Sequence, residues 1–414
     1  MSRRRYVRRL SPMERYWLVV HQIHRYQVDG IVEGVGEIDP LALRAAVAKA
    51  AEANAGVRVR LKGFLIFSKW VDSGVAPEVQ VIDDSDWDGT SERNAEFMSQ
   101  GFDPLRGGAV ADVFLVRCKD GMTRLVFRTL HAAIDGRGLI HWICEVFRAL
   151  RGEALQGSRS TVLDMQVQER HQDRVVPAAP ASPQLCIPVI EPGPAAPLRY
   201  IWRRAIIDRA VSNMLPKTAA FLAQWARRRN PGGEVAFTVP VDYRGLRTDE
   251  MSIGNLTGYL PLNVGVHDTP RTLMQQLVQS IRDYADCRIV PRIRIVPWLP
   301  IRYMVRKLLQ RLDTMLYTVN QELPSGGIVS MGGLQMEWGS CPGFQARALY
   351  GIPGAAGKLN VIFMSTPAHT VVSFSAPAAY NHQGQLDELV GAYRDFFSRK
   401  QDSGGIGNVI GTNR

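Results

Sequence analysis

Residues 177–197 hold seven prolines: Pro177, Pro180, Pro183, Pro188, Pro192, Pro194 and Pro197. Proline has no backbone N–H and a fixed φ, so a segment this dense in it forms neither a helix nor an interior strand. It reads as an extended linker. The expected organisation is therefore an N-terminal lobe over 1–175, a linker over 176–198 and a C-terminal lobe over 199–414. A chain of 414 residues is long enough for two lobes of about 150–200 residues each.

Both halves mix helical and strand periodicities, which predicts an α/β (α+β) fold. In the first half, Asp39 and Pro40 cap and open a helix whose apolar face is Leu43, Ala46, Val47, Ala50 and Ala51. Val57–Arg60 and Val110–Cys118 read as strands. After the turn Lys119-Asp120-Gly121 comes the β-branched and aromatic run Arg124–Leu130, a further strand. Leu139, Ile140, Trp142, Ile143, Val146, Phe147 and Leu150 then mark a helix over 136–151. In the second half, strands are expected near 198–207, 235–241, 328–333, 358–365 and 371–376. Helices are expected near 215–225, 269–284 and 386–397. No internal sequence repeat relates the halves.

His131-Ala-Ala-Ile-Asp135-Gly136 lies at the junction of the Arg124–Leu130 strand and its helix. A histidine on a strand tip is held in one orientation, which suits a general base. Six residues with three fixed identities also arise by chance, and a histidine satisfied beside a turn is the plain alternative. The flanks add order. Phe102-Asp103-Pro104-Leu105 and the 110–118 strand precede the motif. Leu10-Ser11-Pro12-Met13-Glu14-Arg15-Tyr16-Trp17 opens the chain. Pro240-Val241-Asp242-Tyr243-Arg244-Gly245, Ile253-Gly254-Asn255, Val329-Ser330-Met331-Gly332-Gly333 and Tyr380-Asn381-His382 follow. In this order the segments resemble the acyltransferase superfamily of nonribosomal-peptide condensation domains, chloramphenicol acetyltransferase and polyketide-associated acyltransferases.

That resemblance implies two chloramphenicol-acetyltransferase-like lobes, each a mixed sheet with flanking helices, and an active-site channel between them. It implies His131 as general base and Asp135 as a structural aspartate paired with Arg244 from the other lobe. Gly136 would permit the turn and keep the channel open. Ser330 is a candidate oxyanion donor. The donor substrate would be a phosphopantetheine thioester on an acidic carrier protein acting in trans, or a coenzyme A thioester. The acceptor would be an amine or alcohol, giving amide or ester in secondary metabolism. No bound cofactor or metal is expected. There are departures. Condensation members usually carry a second histidine where this chain has Leu130, and usually an asparagine where it has Gly258. The Asp-Phe-Gly-Trp-Gly signature of plant acyltransferases is absent. A non-catalytic member that docks carrier proteins, and an O-acyltransferase for lipids or long-chain alcohols, are the alternatives.

The five cysteines, Cys118, Cys144, Cys186, Cys287 and Cys341, are scattered and contain no C-x-x-C pair, so no disulfide framework or zinc site is indicated. With no apolar run of about 18 residues and no secretory core, a cytoplasmic and monomeric protein is expected. His21 and His24 lack a third ligand by spacing. P-loop, dinucleotide and nucleophile-elbow patterns are absent.

The net charge is +11, and Arg3, Arg4, Arg5, Arg8 and Arg9 contribute to it. Such a balance suits an acidic partner. Nucleic acid is not expected, because no recognition motif accompanies the charge, and residues 2–9 also read as a solvated tail. Finally, Pro297-Trp298-Leu299-Pro300 leads into an amphipathic helix over Ile301–Leu316. Its Ile301, Val305, Leu308, Leu312 and Leu316 line one side, with Arg302, Arg306, Lys307 and Arg311 mostly elsewhere. Covering a core is the favoured reading; contact with an anionic membrane is the sharper one.

Overall fold

The computed structural model describes residues 6–177, 185–194, 198–317, 323–333, 335–354 and 357–399. The prolines Pro180, Pro183 and Pro197 of the expected linker, and Arg3–Arg5, lie outside the described residues. The first half contains β1 (Val7–Arg9), α1 (Pro12–Ile23), β2 (Gln27–Gly36), α2 (Pro40–Ala53), β3 (Val59–Lys62), β4 (Lys69–Asp72), β5 (Glu78–Ser85), β6 (Ala111–Cys118), β7 (Thr123–Leu130), α3 (Gly136–Leu150) and α4 (Asp164–Arg170). The second contains β8 (Tyr200–Ile207), α5 (Met214–Arg227), β9 (Val235–Asp242), β10 (Thr257–Val264), α6 (Pro270–Arg282), α7 (Ile301–Tyr317), β11 (Gly326–Gly333), β12 (Phe344–Ile352), β13 (Asn360–Ser365), β14 (Thr370–Pro377) and α8 (Gln385–Ser398).

Two mixed sheets organise the molecule. The first has strand order β12-β2-β7-β6-β5, and the second β10-β9-β11-β13-β14-β8; β1, β4 and β3 form a small third sheet. Both large sheets combine antiparallel pairs with parallel ones, β5 on β6 and β11 between β9 and β13. Pro261 in β10 is tolerated because β10 is an edge strand, where a missing donor breaks no interior ladder. Most predicted elements lie where their periodicity put them. One exception is Val57–Arg60: Ala55–Arg58 is a 3-10 turn, and the strand begins at Val59.

The division into halves is not clean. β12, from the second half, pairs antiparallel with β2 along the edge of the first sheet. Phe344, Ala346 and Leu349 of β12, with Ile253 and Met331, join the core under α2 and α3. In the other direction, Val167 of α4 packs with Tyr243, Leu256 and Cys287. Val176 already donates to the Asp283 carbonyl, Ile187 to Glu234 and Gly193 to Ala379. The prolines prevent regular structure, but the described parts of this segment are tied to the second half. A boundary drawn at 176–198 therefore follows chain order and not packing.

Arg8 corrects the reading of residues 2–9 as a tail. It sits on β1, is 1% exposed and forms an ion pair with Glu14. A guanidinium without its partner would not be retained there.

Candidate active site at the junction of the two sheets

β7 is buried along its whole length in the middle of the first sheet, and the motif begins where it ends. Leu130 pairs with Gln27 and is fully buried in the first core. Successive strand residues point to opposite faces, so Leu130, in place of the usual first histidine, is a packing residue directed away from His131. Ala132, Ala133 and Ile134 are also fully buried, and the Ala133 and Ile134 amides close a turn on the Leu130 carbonyl. Asp135 then caps α3, accepting from the Gly138 amide at 2.8 Å.

Asp135 is surrounded by donors. Besides Gly138, it accepts from both terminal nitrogens of Arg244 at 3.0–3.1 Å, from the Leu256 amide at 2.9 Å and from the Thr257 hydroxyl at 3.1 Å. Burial alone would raise its pKa, but the Arg244 charge and these hydrogen bonds outweigh it and hold the carboxyl below the usual aspartate value. Arg244 is itself fixed by Asp242, the Ser252 carbonyl and the Gly254 carbonyl. Arg137, the second residue of α3, reaches Asp242 at 3.6 Å.

The segment Ser252–Thr257 clamps the motif from the second half. The Ile253 carbonyl lies 2.1 Å from where a Cβ on Gly138 would stand. Gly254 lies flat against the Arg8 guanidinium, 2.6 Å from its own would-be Cβ. The Asn255 amide donates to the His131 carbonyl at 3.0 Å and to Glu14 at 3.3 Å. Arg8 completes the ring by donating to the Ala133 carbonyl at 3.0 Å. Glu14 is also the N3 residue of the α1 capping box opened by Ser11, and it accepts from Trp70 Nε1. The backbone of the motif is thus gripped at residues 131, 133 and 135.

The His131 ring is treated differently. It is partly buried and stacks on Tyr26, with ring centroids 4.7 Å apart and planes 7° from parallel; Trp17 lies 5.6 Å away. Its Nδ1 is buried with no hydrogen-bond partner among the described residues. Burial lowers the imidazole pKa; the histidine's own carbonyl, Asp135 and Asn255 offset part of that effect. The well-formed bond from Asn255 goes to the carbonyl and not to the ring. Gly354, just after β12, lies over the pair: a Cβ there would stand 3.0 Å from Tyr26 Cε2 and 3.3 Å from His131 Cδ2.

His131, Asp135, Gly136 and Arg244 are therefore brought together. Gly136 has no positive φ and its would-be Cβ meets only the Met331 side chain, at 3.2 Å. The backbone constraint expected at Gly136 falls on Gly138 instead. Ser330 is exposed on β11, and no described contact joins it to His131; its neighbour Met331 is the β11 residue that reaches the motif. Arg8, Glu14, Tyr26, Asn255, Gly138 and Gly354 were not singled out from sequence. Only Glu14 had a readable local signal, the Ser11-x-x-Glu14 capping box.

This architecture is that of condensation domains. A starter condensation domain of rhizomide synthetase, a mutant in complex with C8-CoA and Leu-SNAC, matches with a TM-score of 0.65 at 14% identity, covering 95% of this chain and 94% of that one. The first condensation domain of the calcium-dependent antibiotic synthetase, in complex with a substrate analogue, matches with a TM-score of 0.64 at 14% identity over 95% and 96%. The condensation domain from Monacolin K polyketide synthase gives 0.59 at 14% identity over 95% and 96%. No family model matches the sequence, and no curated protein matches it. At these identities the likeness is one of fold.

Proposed function

We propose that this protein is an acyltransferase that moves an acyl group from a pantetheine thioester to an amine or alcohol, with His131 as the general base. The observation that carries the reading is the contrast at the motif. Its backbone is fixed from both halves, while the imidazole is held by stacking on Tyr26 and by no carboxylate among the described residues, and burial lowers its pKa so that the ring is neutral near pH 7.

On this reading neutral His131 accepts the acceptor's proton as its nitrogen or oxygen attacks the thioester carbonyl. The tetrahedral oxyanion then collapses, the C–S bond breaks, and the imidazolium returns the proton to the departing thiolate. No covalent enzyme intermediate is needed. Asp135 and Arg244 hold the loop and do not touch the reacting atoms. Ser330, exposed one residue before Met331, is the candidate oxyanion donor, and Ser330→Ala in that role lowers kcat on the order of 10²–10³-fold.

A carrier protein acting in trans and coenzyme A are both donors of the required thioester. The test follows the mass of an acyl-loaded carrier protein, and separately of an acyl coenzyme A, incubated with a pool of amines and alcohols. Acyl loss with a new amide or ester, absent with His131→Ala, supports the reading. Equal loss in both samples refutes His131 as the base. Transfer to none of the pool while the carrier protein still binds would favour a docking module.

A further inference from the structure

We propose that the face built from the 3-10 turn Leu65–Phe67, the 3-10 segment Pro291–Trp298 and the outer side of α7 is a docking surface for an anionic lipid bilayer. Phe64 is 69% exposed, Phe67 65% and Trp298 63%; Ile66, Ile295, Tyr303 and Leu309 are exposed as well. Scattered apolar side chains on a surface need no explanation, but a group rimmed by polar residues marks an interaction site.

These chain segments are held together. The two 3-10 elements pack on each other, and both Pro291–Trp298 and α7 pack on α1. Arg15 of α1 pins the loops by donating to the Leu65 carbonyl at 3.3 Å, to Ser68 at 3.2 Å and to the Leu299 carbonyl at 2.7 Å. The exposed aromatics therefore stand on a fixed base.

Charge names the partner. Residues 288–311 contain seven basic side chains, Arg288, Arg292, Arg294, Arg302, Arg306, Lys307 and Arg311, and no acidic one. Residues 58–69 add Arg58, Arg60, Lys62 and Lys69, again with no acidic residue. Arg58 is engaged with Asp72, but Arg302, Arg306, Lys307 and Arg311 all face outward on α7. The apolar side of α7 is already covered: Ile301 packs against the first core, and Met304, Val305, Leu308 and Leu312 are only partly exposed. The helix does not insert its own apolar face. Instead Phe64, Phe67 and Trp298 enter the headgroup region while the arginines meet lipid phosphates, the division of labour of interfacial anchors. No helix among the described residues is long and apolar enough to cross a membrane, so the contact is one of lying on the surface.

The test uses the full chain with phosphatidylcholine vesicles and with vesicles that also contain phosphatidylglycerol, read by cosedimentation and tryptophan fluorescence. Binding is expected to the anionic vesicles, with a blue shift that is lost in Trp298→Phe. Removing two charges by Arg302→Gln with Arg306→Gln weakens binding about thirtyfold, at about 1 kcal/mol per basic residue. Phe64→Ser with Phe67→Ser also weakens it, while melting and circular dichroism stay unchanged. Absence of vesicle binding overturns the proposal. So does binding indifferent to these variants, or an acidic carrier protein whose binding the arginine pair abolishes while vesicles are ignored. No turnover is required, so failure here leaves the acyl-transfer reading intact.

Discussion

His131 and Asp135 are four residues apart on one loop and live under opposite rules. Asp135 receives hydrogen bonds from Gly138, Arg244, Leu256 and Thr257 and is 3% exposed. His131 gives its backbone to Asn255 and Tyr26 but leaves its buried Nδ1 without a partner. A buried charge is tolerable only when paired. A group meant to exchange a proton with substrate needs a ring nitrogen within hydrogen-bond reach of it and a pKa near the working pH. The loop places the hydrogen-bonded carboxylate at the helix cap and the stacked imidazole at the strand tip.

The strongest way to break the contrast is Asp135→Ala. It leaves buried Arg244 with Asp242 as its one remaining carboxylate and unpairs the Leu256 amide and the Thr257 hydroxyl, and the expected cost is about 3–5 kcal/mol of unfolding free energy, measured by denaturant titration, with activity lost as the loop loosens. His131→Ala is the complement. It should change stability by about 1 kcal/mol, the worth of its stacking on Tyr26, and lower the rate of acyl transfer on the order of 10²–10⁴-fold. If both variants unfold alike, the division of roles is wrong. Gly138→Ala probes the clamp without touching a charge: its methyl meets the Ile253 carbonyl, and about 1–3 kcal/mol of destabilisation is expected by the same titration.

The smallest effect is in pH, and it separates the two groups by window. The folded state lowers the His131 pKa below 6.5, so the folded protein binds fewer protons there than the unfolded chain. Its stability therefore falls as pH drops below 6.5 towards the folded value. The Asp135 pKa is lowered from 3.8, so its stabilisation is full above 3.8 and disappears only as pH falls through the lower folded value. His21, His24 and His141 are also shifted down by burial. The readout is thus the difference between wild type and His131→Ala, which should be constant above pH 6.5, shift against the wild type as pH falls below 6.5, and become constant again once the folded imidazole is protonated as well. The acid limb of kcat/KM should likewise lie below pH 6.5.

Much of this site was legible in the sequence because it is local. The strand run 124–130, the turn and the periodicity of α3 place His131, and the Asp135–Arg244 juxtaposition follows from the family resemblance. What was illegible is what crosses the chain. Nothing near Arg8 in sequence says that it leaves the basic cluster to pair with Glu14 and hold the Ala133 carbonyl. Nor does Gly354 carry a local pattern that sets it over the rings of Tyr26 and His131. A glycine kept for another segment's close approach looks, from its own neighbours, like any turn.

The crossing of β12 into the first sheet has a consequence for biosynthesis. During translation β2, β7, β6 and β5 leave the ribosome together, but the strand that covers the free edge of β2 is made only at residues 344–352. Until then that edge offers an open row of backbone donors and acceptors to any neighbouring nascent chain. The first sheet must wait, incomplete, for most of the polypeptide to be synthesised. A fragment ending in the proline-rich segment would carry that vulnerability permanently.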